Sequence, residues 1–258
     1  MKSIASLLTI VLTVVALFAL TGWQVTSETA STRLLGRLGA AIVEIDRWLP
    51  AHQEDIQLVA RDREDGAVVI RDLPIQVSLP AVLVVGADEA QLRTMITEEM
   101  GRQLYENGNS AFRDNEGGEA SLGINEPVRW TVTLLGSGMH GFWLAVMALT
   151  LLLALAAAAS VMTTGEMPMN SIAIGAVIGI IASFGFWLLM QLAEGMASSA
   201  ADREIILILQ DGAKLGMRSC GGVAIPAAVL ALLMSFAQSR GSRTQYTPIP
   251  PTPDTNWS

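Results

Sequence analysis

Four stretches of the chain, residues 4–23, 142–162, 172–192 and 221–237, contain no Asp, Glu, Lys or Arg. A helix rises 1.5 Å per residue, so about 20 apolar residues match the hydrocarbon thickness of a bilayer. Nothing constrains the fold more: the sequence predicts an α-helical integral membrane protein with four transmembrane helices. The fourth stretch is the shortest and carries Pro226, which is expected to kink it or sit in its first turn. Lys2 before the first stretch also fits a cleaved secretory signal. The run is long, however, and no A-x-A site follows it, so residues 1–23 are read as a retained signal anchor.

Charge divides the rest. Residues 23–140 hold 18 of the 24 acidic and 10 of the 16 basic side chains, a net −8, and the remainder of the chain is neutral. An acidic segment between apolar ones reads as a water-exposed domain, residues 24–140, inserted between the first and second helices. The same acidity excludes nucleic acid, which requires a basic surface. Lys2 at one end and Arg240 and Arg243 at the other, against a lone Glu166 between the second and third stretches, place both termini in the cytoplasm by the positive-inside rule. Residues 24–140 and an outer loop, 194–220, then lie outside, and residues 141–238 form a three-helix membrane bundle. Trp23, Trp143 and Trp187 stand near span ends, as interfacial anchors do.

Small residues recur every fourth position in the later spans: Gly175, Gly179 and Ser183 in the third, Ala154 and Ala158 in the second, Ala224 and Ala228 in the fourth. Lipid gives helices no hydrophobic reason to associate, so close approach at such faces supplies it. A compact bundle of these three spans accounts for the pattern; homo-oligomerisation through one face is the alternative.

The outer domain reads as small and α+β. Leu34, Leu35, Leu38, Ile42, Ile45 and Leu49 have helical spacing up to a stop at Pro50, a helix that could extend the first span as a stalk. Strands are expected at 68–71 and from Ile75 past Pro80 into "AVLVVG". Asp88 and Gln91 have capping-box spacing at the start of a second helix, striped by Leu92, Met95, Ile96, Met100 and Leu104 and ended by Asn107-Gly108. A Gly-rich loop, 107–127, leads to "VRWTVTLL", whose alternation predicts a half-buried strand. In the outer loop, "REIILILQDGAKLGMRS" suggests a hairpin turning at Asp211-Gly212 that pairs with the domain's sheet; a surface helix in the interface is the other reading. Residues 239–258 are polar and proline-rich, expected to be a disordered cytoplasmic tail with PxxP spacing.

Chemistry-bearing patterns are sparse. His52 and His140 have no second ligand at zinc spacing, and no G-x-S-x-G, Walker or dinucleotide motif occurs. Asp62, Glu64 and Asp65, or Asp114, Glu116 and Glu119, could offer oxygens to Ca²⁺, but neither set has EF-hand spacing; solvated acidic loops are the plainer reading. No cofactor is implied. Cys220, the single cysteine, excludes an internal disulfide.

One span, a large outer domain, three further spans and a second outer segment: this layout resembles that of claudin-like proteins and of bacterial permease subunits. The resemblance is one of layout. The claudin pattern needs paired cysteines in the first outer loop, and this loop has none. The expectation is therefore a non-enzymatic membrane-anchored interaction, sensor or scaffold protein whose outer domain binds a protein partner, with membrane lipid around its bundle. The alternative is an accessory or permease-like subunit of a transport complex.

Overall fold

The computed structural model describes residues 2–63, 66–70, 72–112, 125–163 and 167–241, with side chains from 4 to 236. It is mostly helical. Four helices are long and apolar enough to span a membrane: α1 (Lys2–Val25), α7 (Ser137–Thr163), α8 (Pro168–Glu194) and α9 (Ala200–Gly241). Between α1 and α7 lies a head of α2 (Glu28–Val43), α3 (Ile45–Arg61), β1 (Ala67–Ile70), β2 (Val77–Pro80), α4 (Ala81–Val84), α5 (Glu89–Asn107) and α6 (Glu126–Leu135). The strands form one antiparallel pair, with Val68 opposite Leu79 and Ile70 opposite Val77. Ile75 adds an isolated bridge to Phe112.

The head's core is a helix-on-helix layer closed by that hairpin. Leu35 and Leu38 of α2 and Leu92, Ile96, Met100 and Leu104 of α5 are fully buried. Each contributes about 1.5–3 kcal/mol by leaving water. Asp88 caps α5 as its spacing predicts: its side chain accepts from the Gln91 amide at 2.8 Å, and Gln91 Oε1 accepts from the Asp88 amide at 3.1 Å. Gly108, at φ 57°, ends the helix.

Several expected elements fold differently. The stalk is two helices, parted at Glu44, which sits in the left-handed region at φ 48°, ψ 53°. Pro50 lies inside α3 rather than stopping it. The strand past Pro80 turns at once into α4, with Ala81 and Val84 buried. "VRWTVTLL" is helix α6: Val128, Val132 and Leu135 point inward at spacings of four and three, and Asn125 caps the helix by accepting from the Val128 amide at 3.1 Å. Val128 and Val132 satisfy both periods, and eight residues are too few to separate them. The hairpin expected at 203–219, within the outer loop, belongs to α9, a single helix of 42 residues. Ala201 and Ile208 of α9 are buried in the head core, which fixes a helical period that local sequence leaves open. The head thus has no strand from that segment, and the fourth span is the lower part of a helix that starts in the head.

The bundle also differs from a trio of later spans. α1 is its centre: α7 packs on one side of α1, the α8–α9 pair on the other, and α7 barely meets α8. Hydroxyls in α1 are satisfied by the preceding turn, Thr13 Oγ1 donating to the Thr9 carbonyl at 2.7 Å. Ser6 and Ser171 join α1 to α8 at 2.6 Å.

Candidate functional site

The small-residue face on α8 lies inside the chain. At Gly175 a Cβ would stand 2.9 Å from the Ile10 carbonyl oxygen of α1, and at Gly179 2.7 Å from Cys220 Sγ of α9. Ser183 is buried, and its Oγ would be 2.9 Å from a Cβ at Gly216. Ala158 and Ala224 are buried, Ala154 half-buried and Ala228 exposed. On α7 the buried positions are Thr150, Ala157, Ala158 and Val161.

The three tryptophans share the end of the bundle nearest the head. Gly22 of α1 abuts the Trp143 indole, and Trp23 stacks on His140 with ring centroids 5.7 Å apart. Gly216 touches both Thr21 and Ser183, so Trp187, one turn beyond Ser183, stands level with Trp23. Trp187 stacks on Phe184. His52 stacks on Trp48 at 4.5 Å, far from His140 in sequence and held on α3. Of the carboxylates considered for Ca²⁺, Asp62 is exposed at the end of α3; Glu64, Asp65, Asp114, Glu116 and Glu119 lie outside the described residues, as does the tail from 242. Among the described residues no cluster of three His, Cys, Asp or Glu side chains is arranged to hold a metal ion.

One concavity of the head is an open cleft of about 1290 Å³ bounded by α2, α5, the end of β2 and the start of α9. Six arginines line it, five of them paired with an acid and Arg33 without one among the described ion pairs. Arg37 Nη2 lies 2.7 Å from Glu204 Oε1, outside hydrogen-bonding geometry, and its Nη1 donates to Asp211 Oδ2 at 3.1 Å. Arg93 pairs with Asp46 at 2.9 Å. Arg102 donates to Glu99 and Glu106 at 2.6 and 2.8 Å, and these hydrogen bonds, Glu99's first, push its guanidinium above the usual value. Such a lining offers matched charges, with no nucleophile and base in contact.

At the cleft's rim the chain does something sequence reasoning missed. α4 leaves Val82, Leu83 and Val85 72%, 56% and 42% exposed, and Leu83 lines the cleft. This apolar tip immediately precedes the N-terminal end of α5. α5 runs from it back toward the membrane helices, where the Tyr105 carbonyl nears Gly136 at the α6–α7 junction. The 16 residues of α2, packed against α5, make a helix about 24 Å long. The signal was present as "AVLVVG", but its β-propensity disguised a one-turn helix with alternate burial lost.

A second polar group joins the tops of α8 and α9. Gln191 donates to the buried Gln210 at 3.3 Å, and Arg203 pairs with Glu194 at 3.1 Å. Asn125 of the α6 cap donates to Asp202 at 3.1 Å. No protein-family model, curated protein or solved structure matches the chain.

Proposed function

We propose that this chain is a membrane-anchored interaction protein, without catalytic activity of its own, whose head lies outside the cytoplasm and binds a protein partner. The observation that carries this reading is the apolar tip of α4. Three large aliphatic side chains lie exposed beside a cleft, at the end of α5 opposite the one that meets the α6–α7 junction, an apolar patch of the kind that marks a protein contact. Matched Arg–acid pairs around the cleft suit a polar rim surrounding an apolar anchor point. Placement of both termini in the cytoplasm rests on Lys2, Arg240 and Arg243. The faces at Gly175, Gly179 and Ser183 are filled by α1 and α9, so self-association is not needed to explain them.

The test is a photo-crosslinking residue at Leu83 in intact cells. One discrete adduct, lost when Val82 and Val85 are changed to Ser, is the expected result; uniform labelling or none refutes the reading. A membrane-impermeant maleimide should also label Glu89→Cys in intact cells, and protection of that site refutes the sidedness. A second reading, an accessory or permease-like subunit, draws on one feature: Arg203, Glu204 and Leu207 line the cleft on the same helix that runs through the bundle. Stable co-isolation of a cytoplasmic ATPase would favour it over the first.

A further inference from the structure

One face of α9 is built like an amphiphile. Lys214, Arg218, Ile225, Val229 and Leu232 follow one another at spacings of four, seven, four and three, so they line one side of the helix. All five are exposed. The opposite side, with Ala213, Gly216, Cys220, Ala224 and Ala227, is buried. The exposed side therefore has two cations at its upper end and an aliphatic ridge below them.

The height of the cations matters. Gly216 touches Thr21 and Ser183, two residues below Trp23 and one turn below Trp187. Arg218, two residues further along α9, starts about one to one and a half turns inside the tryptophan level, and its long stem can carry the guanidinium back up by about one turn. Among the described residues Arg218 has no ion-pair partner. Lys214 shares Asp211, at 3.3 Å, with Arg37. A cation at this depth, facing away from the bundle, favours an anion supplied by the bilayer.

The geometry points to a binding site for an anionic phospholipid in the leaflet nearest the head, its phosphate held by Arg218 and Lys214 and its acyl chains lying along Ile225, Val229 and Leu232. The site needs only the leaflet on the head's side, whichever compartment that side faces, and so stands apart from the partner-binding reading.

The experiment compares retention of phosphatidylglycerol and phosphatidylcholine by the purified full-length protein, read by native mass spectrometry, with inorganic phosphate as a third probe. Wild type should retain phosphatidylglycerol in preference. Arg218→Gln should cut that preference about five-fold, and the Lys214→Gln/Arg218→Gln pair should abolish it. Arg63→Gln, on the head, should change nothing. Equal retention of both lipids by wild type overturns the proposal, and that comparison needs no variant to fold. So does a preference that survives in the double variant, and so does displacement of the lipid by millimolar inorganic phosphate, which would mark a soluble-anion site.

Discussion

Gly101 of α5 faces the Thr32 carbonyl of α2 with no room between them for a side chain: a Cβ there would collide with the Thr32 carbonyl oxygen. One turn along, a Cβ at Gly36 would stand 2.5 Å from the Thr97 carbonyl oxygen. The two helices that carry the head's core therefore cross on glycine, backbone against backbone. Carbonyls cannot rotate aside as side chains can, so relief would require moving a helix. Gly101→Ala is expected to destabilise the protein by about 3 kcal/mol, the upper range for overpacking. Gly212→Ala, in α9 with open space around it, should be neutral or stabilising by up to about 1 kcal/mol, because alanine is the better helix former. Thermal melts of both variants in detergent check the contrast.

Gly179 and Cys220 make a similar but softer contact in the bundle. A Cβ added at Gly179 would meet the thiol sulfur at 2.7 Å, whereas Cys220 Cβ would be 3.7 Å away. Gly179→Ala alone should cost about 1–2 kcal/mol. Added to Cys220→Ala, it should cost almost nothing, since the remaining contact is ordinary van der Waals packing. A double-mutant cycle on melting temperature measures the coupling; additive effects would show that α8 and α9 do not pack through this pair.

What the residues disclose in advance depends on how local the deciding physics is. Solubility in lipid is a property of composition, so four charge-free stretches mark, without any tertiary information, four helices long and apolar enough to span a membrane. The cap on α5 is equally local, a bond between Asp88 and Gln91 three positions apart. The head's other elements are decided at a distance. Ile205 and Ile208 can face either way until the head core fixes them, so Asp211-Gly212, a good turn sequence, stays helical. Val128 and Val132 suit a strand or a helix, and the overlooked cue is Asn125 with Pro127, a start signal hidden in a polar run. The cleft is not legible at all, because Arg37 and Glu204 are 167 positions apart and meet only when α9 rises beside α2. The α4 tip is legible as apolar sequence, but its exposure is not.

Glu44 marks the break between α2 and α3 with a left-handed backbone, which costs a non-glycine residue roughly 1–2 kcal/mol. Its side chain gains little in return, an exposed pair with Arg47 at 2.7 Å. Glycine should relieve the strain, and a β-branched residue should deepen it. The expected order of melting temperature is Glu44→Gly at or above wild type, with Glu44→Val lowest by about 1–2 kcal/mol. An inverted order would mean that the two helices join through a different backbone geometry.

Arg37 is the only side chain of α2 that joins two acids of α9, Glu204 and Asp211, among the described ion pairs. It ties the head to the helix that enters the bundle, beside a carboxylate that is largely withdrawn from water. Removing the cation leaves Glu204 without an ion-pair partner among the described residues, while Asp211, seven positions away, keeps Lys214. Arg37→Met is therefore expected to cost about 1–3 kcal/mol, the penalty for a largely buried polar group stripped of its partner. Neutralising the acid as well should recover most of that loss, so Arg37→Met/Glu204→Gln should melt above Arg37→Met alone. Hydrogen exchange should report where the loss falls: amides in the first three turns of α9 should exchange faster in Arg37→Met, while those of α8 near Gly179 should not change. Uniform acceleration across the bundle would show instead that the ion pair supports the whole fold rather than the joint between the head and α9.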